Sequence, residues 1–141
     1  EYKPEFVHLY LGYAQSLLEA DRSIEFHKEE IDAERRRDEI KSFTGRLQSF
    51  GITFDQLVQA SPKHADARKN AISIARIVAE DSSMLNYLFQ KKKLPLKILE
   101  SKVNVSRKTI ERNRIYIVAM VLVLSGDYRF LSDYIKGVLK D

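Results

Sequence analysis

The sequence predicts an all-α fold, a compact bundle of about five to seven helices containing a helix-turn-helix, and three observations lead there. The chain of 141 residues has only five glycines and three prolines, and few of them interrupt a periodic stretch. In one segment after another the apolar residues recur in steps of three and four, the spacing of a helix face, and no stretch alternates convincingly like a strand. Helix-start and helix-stop residues punctuate those segments at short intervals.

Composition narrows the class further. With 44% hydrophobic and 31% charged residues the chain can bury one core, so a single domain is expected. The absence of cysteine excludes a disulfide framework, a thiolate metal site and a cysteine nucleophile, and fits a reducing cytoplasm. Glu1-Tyr2-Lys3-Pro4 lacks the basic-then-apolar order of a signal peptide. The longest apolar run, Ile115 to Leu124, has about half the length that crosses a bilayer, so it reads as a buried helix and no membrane insertion is expected.

In chain order, Phe6, Leu9, Tyr10, Tyr13 and Leu17 suggest an amphipathic segment over about residues 5–20. A polar stretch around Asp21 to Lys28 follows, and residues 1–28 are taken as a linker or N-terminal extension, with the domain proper at 29–141. Ile40, Phe43, Leu47 and Phe50 define a long helix that Gly51 stops, its Glu29-to-Arg37 part charged and exposed. Thr53-Phe54-Asp55-Gln56 matches a capping box and opens a short helix over about 54–60. Ser61-Pro62 reads as cap and first residue of a central helix bearing Ala71, Ile72, Ala75, Val78 and Ala79 on one face, widened by Ile74 and Ile77. Leu85, Leu88 and Phe89 indicate another helix running into Lys91-Lys92-Lys93.

The next segment carries the functional signal. Pro95 to Lys102 allows a two-turn helix with Leu96 and Leu99 inward, Val103-Asn104-Val105 makes a tight connection with a left-handed backbone suited to Asn104, and Ser106 caps a second, much longer helix. That is helix-turn-helix organisation. At about 100° per residue, Ile110, Ile117, Val121 and Leu124 lie on one side of the second helix, opposite Lys108, Arg112, Ile115 and Ala119. Gly126-Asp127 then separates this helix from a last apolar-rich one containing Tyr128, Phe130, Leu131, Tyr134, Ile135, Val138 and Leu139.

Charge converges on the same place. Residues 91–114 hold nine basic side chains and two acidic ones, +7, while the rest of the chain sums to −3 within a total of +4. Alone, that cluster fits a solvated charged face as well as it fits a polyanion footprint. Joined to the motif it favours DNA, because a recognition helix presents its first turns to the major groove and long polar side chains there reach base edges. Arg107, Lys108, Thr109, Glu111 and Arg112 occupy those turns; Asn113 and Arg114 flank the buried side and serve either role. His8, His27 and His64 have no metal-ligand spacing, and no phosphate loop or nucleophile motif occurs, so an enzyme is not expected and no cofactor is implied.

Several stretches taken in order carry a resemblance: Phe50-Gly51-Ile52-Thr53-Phe54, Ser61-Pro62-Lys63-His64, Leu94-Pro95-Leu96-Lys97, and Ser106 through Ile117. Together they resemble the C-terminal domain of bacterial sigma factors of the SigI group, over roughly residues 29–136. The resemblance implies a domain that reads the −35 promoter element, while a further N-terminal half would open the −10 element and bind core RNA polymerase. It implies inhibition by RsgI, a membrane-anchored anti-sigma factor, in a stress or polysaccharide response. It supports Arg107, Lys108, Thr109, Glu111 and Arg112 as DNA-facing and adds Lys63, His64, Arg68 and Lys69 as phosphate contacts at a helix start. An apolar surface around Ile115, Val118, Leu122, Tyr128 and Tyr134 is the expected anti-sigma contact. Two rivals remain open: a helical protein-interaction domain that docks the anti-sigma factor without reading DNA, and a peripheral membrane domain whose lysines meet anionic lipid.

Overall fold

The computed structural model describes residues 27–140, and these form eight helices with no strand among the described residues. They are α1 (His27–Gln48), α2 (Phe54–Ala60), α3 (Ala65–Glu80), α4 (Ser82–Lys91), α5 (Leu96–Lys102), α6 (Arg107–Arg112), α7 (Arg114–Ser125) and α8 (Arg129–Lys140). The amphipathic segment expected over 5–20 lies outside the described residues.

α7 is the hub, and its sequence says why. Every residue from Tyr116 to Val123 is buried, so the helix is apolar around its circumference and must be enclosed on all sides. α3 lies along it most extensively, and α1, α2 and α8 close the remaining sides. α3 contributes Ala71, Ile72, Ile74, Ala75 and Val78 to this contact layer, the small residues letting the two helices approach closely. α1 adds Ile40, Phe43 and Leu47, while its N-terminal part projects charged side chains outward. Phe43 meets Phe54 edge-on at 6.1 Å and Tyr128 at 5.5 Å, joining α1, α2 and the start of α8. In the depth of the core the hydroxyls of Tyr116 and Tyr134 bond at 2.6 Å, tying α7 to α8.

Two termini follow their sequence signatures closely. α1 ends in a Schellman arrangement: the Ile52 N–H donates to the Leu47 carbonyl at 3.0 Å and the Gly51 N–H to that of Gln48 at 2.9 Å, with Gly51 at φ 73°. Thr53 and Gln56 exchange reciprocal bonds of 3.0 and 2.9 Å at the start of α2.

Four expectations are corrected, the first being the helix count, eight among the described residues against about five to seven expected. Ser61 does not cap α3: it closes α2, its buried hydroxyl donating to the Leu57 carbonyl at 3.0 Å, and α3 begins at Ala65 after an extended His64. The reason is Pro62, which forces the residue before it into extended backbone and so ends the preceding helix instead of starting the next. The single long helix expected after Ser106 is two, because Asn113 sits at φ −100°, ψ 16°, outside helical geometry. Among the described residues the left-handed residue other than glycine is Lys92 at φ 57°, and Asn104 is not left-handed. Lys92 closes α4 by donating its N–H to the Leu88 carbonyl at 2.8 Å, and its ammonium stands 4.4 Å from the Phe50 ring centre.

Candidate nucleic-acid interface

α5 and α6 are short and lightly anchored. α5 buries Leu99 completely, with Leu96 partly covered, and α6 buries only Ile110. Between them Val103 and Val105 press partly against the core while Asn104 faces solvent. Ser106 starts α6 as expected: its hydroxyl accepts the Thr109 N–H at 3.2 Å and lies 3.1 Å from the Thr109 hydroxyl.

With Ile110 turned inward, the helical period places Lys108 and Arg112 opposite it and Glu111 to the side; these three and Arg107, the first residue of α6, are exposed, and Thr109 is half-buried. Four of the five residues expected at the head of a recognition helix are thus exposed. Lys108, Glu111 and Arg112 make no ion pair among the described residues. Arg107 differs. Its Nε donates to Glu100 Oε1 at 2.9 Å and its Nη2 to Oε2 at 3.3 Å, a two-pronged bond from the first residue of α6 back to α5. Sequence reasoning counted Glu100 among the acids of a basic window and missed this pairing; the signal available was one acid shortly before the turn in an otherwise cationic run.

The last residue of α5 is tied as well. Lys102 Nζ lies 3.6 Å from Asp81 Oδ2, and Asp81 also caps α4 by accepting the N–H groups of Ser83 and Met84 at 2.9 and 3.1 Å. The Met84 N–H foremost, then those of Ser83 and the Lys102 ammonium, hold the Asp81 carboxyl below its ordinary range, with partial burial opposing them.

Lys63, His64, Arg68 and Lys69 form a separate group at the start of α3. Lys63 and His64 are exposed. Arg68 is half-buried and donates from Nη1 to the Pro62 and Lys63 carbonyls, both at 3.0 Å, so its guanidinium supports the loop between α2 and α3. Lys91 at the end of α4, Lys93 just beyond it and Lys97 on α5 are exposed.

The apolar surface expected for a protein partner is not there. Val118, Leu122, Tyr128 and Tyr134 are buried, and only Ile115 is partly exposed. The all-round apolar character of α7 is used up inside the fold. Large hydrophobic side chains exposed among the described residues are Ile31, Tyr87, Ile98 and Leu139. No helix among these residues is long and apolar enough to cross a membrane.

No protein-family model matches the chain. Among curated proteins it is similar to RNA polymerase sigma factor SigI of Bacillus subtilis (strain 168), 50% identical over 126 residues that cover 89% of this chain and 50% of that protein. It is 41% identical over 137 residues to SigI of Bacillus anthracis, covering 97% of this chain and 57% of the relative. With SigI3 of Acetivibrio thermocellus it shares 42% identity over 123 residues, 87% of this chain and 47% of the relative. The chain spans about half the length of the curated relatives it matches.

Proposed function

The chain belongs to the SigI group of RNA polymerase sigma factors, and on that premise we propose that it is the C-terminal half of such a factor and reads the −35 promoter element. α5 and α6 are the helix-turn-helix, with α6 entering the major groove by its outward face. The observation that carries this reading is the exposed row Lys108, Glu111 and Arg112 on a capped helix whose one buried side chain is Ile110. Arginine can address guanine through two parallel bonds, and a glutamate can accept from the cytosine amino group, so the row has the chemistry to tell base pairs apart. Lys63, His64 and Lys69 are proposed to contact phosphates, which positions the domain without reading sequence. Arg68, committed to the loop carbonyls, acts there through Lys63 and His64.

The role is binding and not catalysis: the domain directs transcription initiation by core RNA polymerase, inside the cell, and needs no cofactor. Inhibition by the anti-sigma factor RsgI belongs to the same proposal. Its contact must use residues other than the buried set of α7 and α8, and the exposed Tyr87 and Ile98 are apolar surfaces available to it.

The test is fluorescence anisotropy of the chain on a duplex carrying the −35 element against a scrambled duplex, with and without the RsgI N-terminal domain. Preference for the promoter duplex is expected, with altered base pairs costing about 1–3 kcal/mol each. Equal binding to both duplexes, together with capture by the RsgI domain, would reduce the chain to a docking module.

A further inference from the structure

We infer that Arg107 is a positioning residue, whose paired guanidinium fixes α6 against α5 so that base reading falls to Lys108, Glu111 and Arg112. The inference rests on the nucleic-acid reading above.

A six-residue helix cannot hold its own orientation, being far shorter than the dozen or so residues at which isolated helices become even marginal. Ile110 is the one buried side chain of α6, so apart from its continuation into α7 through Asn113 the helix has a slight grip on the core. The Arg107–Glu100 pair supplies a second fastening three residues earlier, about one turn along the axis. The fork geometry matters. Both carboxylate oxygens are engaged, by Nε and by Nη2, and that fixes direction as well as distance.

The Arg107 and Glu100 side chains are 48% and 40% exposed, so the pair adds little to overall stability and its effect is orientational. For Arg107 to bond a guanine it would have to leave Glu100 and strand a carboxylate beside the DNA backbone. Lys108 and Arg112 face no such conflict, since neither has an ion-pair partner among the described residues.

Four variants of the chain separate positioning from direct contact: Arg107→Lys, Glu100→Gln, the charge swap Glu100→Arg with Arg107→Glu, and Arg112→Ala. Each is titrated at several salt concentrations against the duplex that the unaltered chain enriches from a random pool, and thermal melts confirm that each is folded. Arg107→Lys keeps the charge and loses the fork, so affinity is expected to fall about tenfold with the salt slope unchanged. Glu100→Gln is expected to weaken binding although it removes a negative charge, and the swap to return within about threefold of the parent because the pair is rebuilt. Arg112→Ala should weaken binding about 10- to 100-fold and relax the preference at one base pair, with the slope little changed. Unchanged binding by Arg107→Lys would show that the fork does not position α6, tighter binding by Glu100→Gln or abolished binding by a folded swap would place Arg107 on the DNA, and each of these would overturn the inference. If the unaltered chain enriches no sequence, the promoter-reading proposal itself fails and this inference falls with it.

Discussion

Lys92 shows how one residue can combine two opposed local effects. Its left-handed backbone disfavours any side chain, by about 1–2 kcal/mol relative to the right-handed region. Placing the ammonium 4.4 Å from the Phe50 ring centre offsets part of that, at about 0.5–1 kcal/mol for an exposed cation–π interaction. The ring beneath it is itself held edge-on, Phe50 and Phe89 lying 5.9 Å apart with Arg46 5.2 Å from the Phe89 centre. Lys92→Ala keeps the strain and removes the cation, so it should destabilise by about 0.5–1 kcal/mol. Lys92→Gly removes the cation and relieves the strain, and should lie within about 0.5 kcal/mol of the parent. Urea unfolding of the three proteins checks this; equal destabilisation in both variants would mean that the backbone strain contributes nothing. A position of this kind is hard to read from sequence, because the lysine stands in a run of three and only the tertiary arrival of Phe50 distinguishes the middle one.

Helix boundaries were legible where the capping chemistry is local and obscure where it is shared between elements. Gly51 and the Thr53–Gln56 box each satisfy backbone groups within a few residues, and the sequence pattern located them. Ser61-Pro62 carried the same kind of signature but sits between two helices that compete for it, and the proline's effect on its predecessor decided the outcome. Asn113 broke a helix with no glycine or proline to announce it, while the apolar period ran straight through. The start of α8 is satisfied from far away: Glu39 of α1 accepts the N–H groups of Phe130 and Leu131 at 3.1 and 2.7 Å. The exposed face of α6 was readable because it depends only on helical period, whereas the Glu100 pairing depends on how the turn folds back.

Asp81 is the case at this scale where the linkage can be tested by pH. Its folded-state carboxyl titrates below the ordinary range because it accepts the Met84 N–H first of all, with Ser83 and Lys102 adding to that. Its contribution to stability is therefore complete above the unfolded value of about 3.9 and is lost as pH falls through the lower folded value. Asn at this position still caps a helix but cannot ionise or attract Lys102. Asp81→Asn should therefore be less stable than the parent at neutral pH, and the gap should close as pH falls below about 4. Chemical denaturation at a series of pH values measures the gap directly, and a gap that is constant down to pH 2 would assign the loss to capping geometry alone.

For the molecule as a whole, a core built on α7 carries the lightly attached α5 and α6 and a concentrated positive charge, and under the proposed promoter reading the two make separable contributions to binding. The window 91–114 holds +7 against −3 elsewhere, so the domain should approach a duplex with this side first. Within it, exposed Lys91, Lys93 and Lys97 lie outside α6 and have no side chain on its outward face. Lysine at such positions meets phosphate as a point charge, and phosphate is the same beside every base pair. Replacing the three together with alanine should weaken binding to promoter and scrambled duplexes by the same factor. The slope of log K against log salt should fall by about 0.9 for each phosphate no longer neutralised, with the preference between duplexes unchanged. Glu111→Gln should behave in the opposite way, leaving the slope nearly as it was and shifting the preference at one base pair. Anisotropy titrations on both duplexes at three or more salt concentrations give slope and preference from the same data. A lysine variant that altered preference, or a Glu111 variant that changed only overall affinity, would mean that the division between charge and reading has been drawn at the wrong residues.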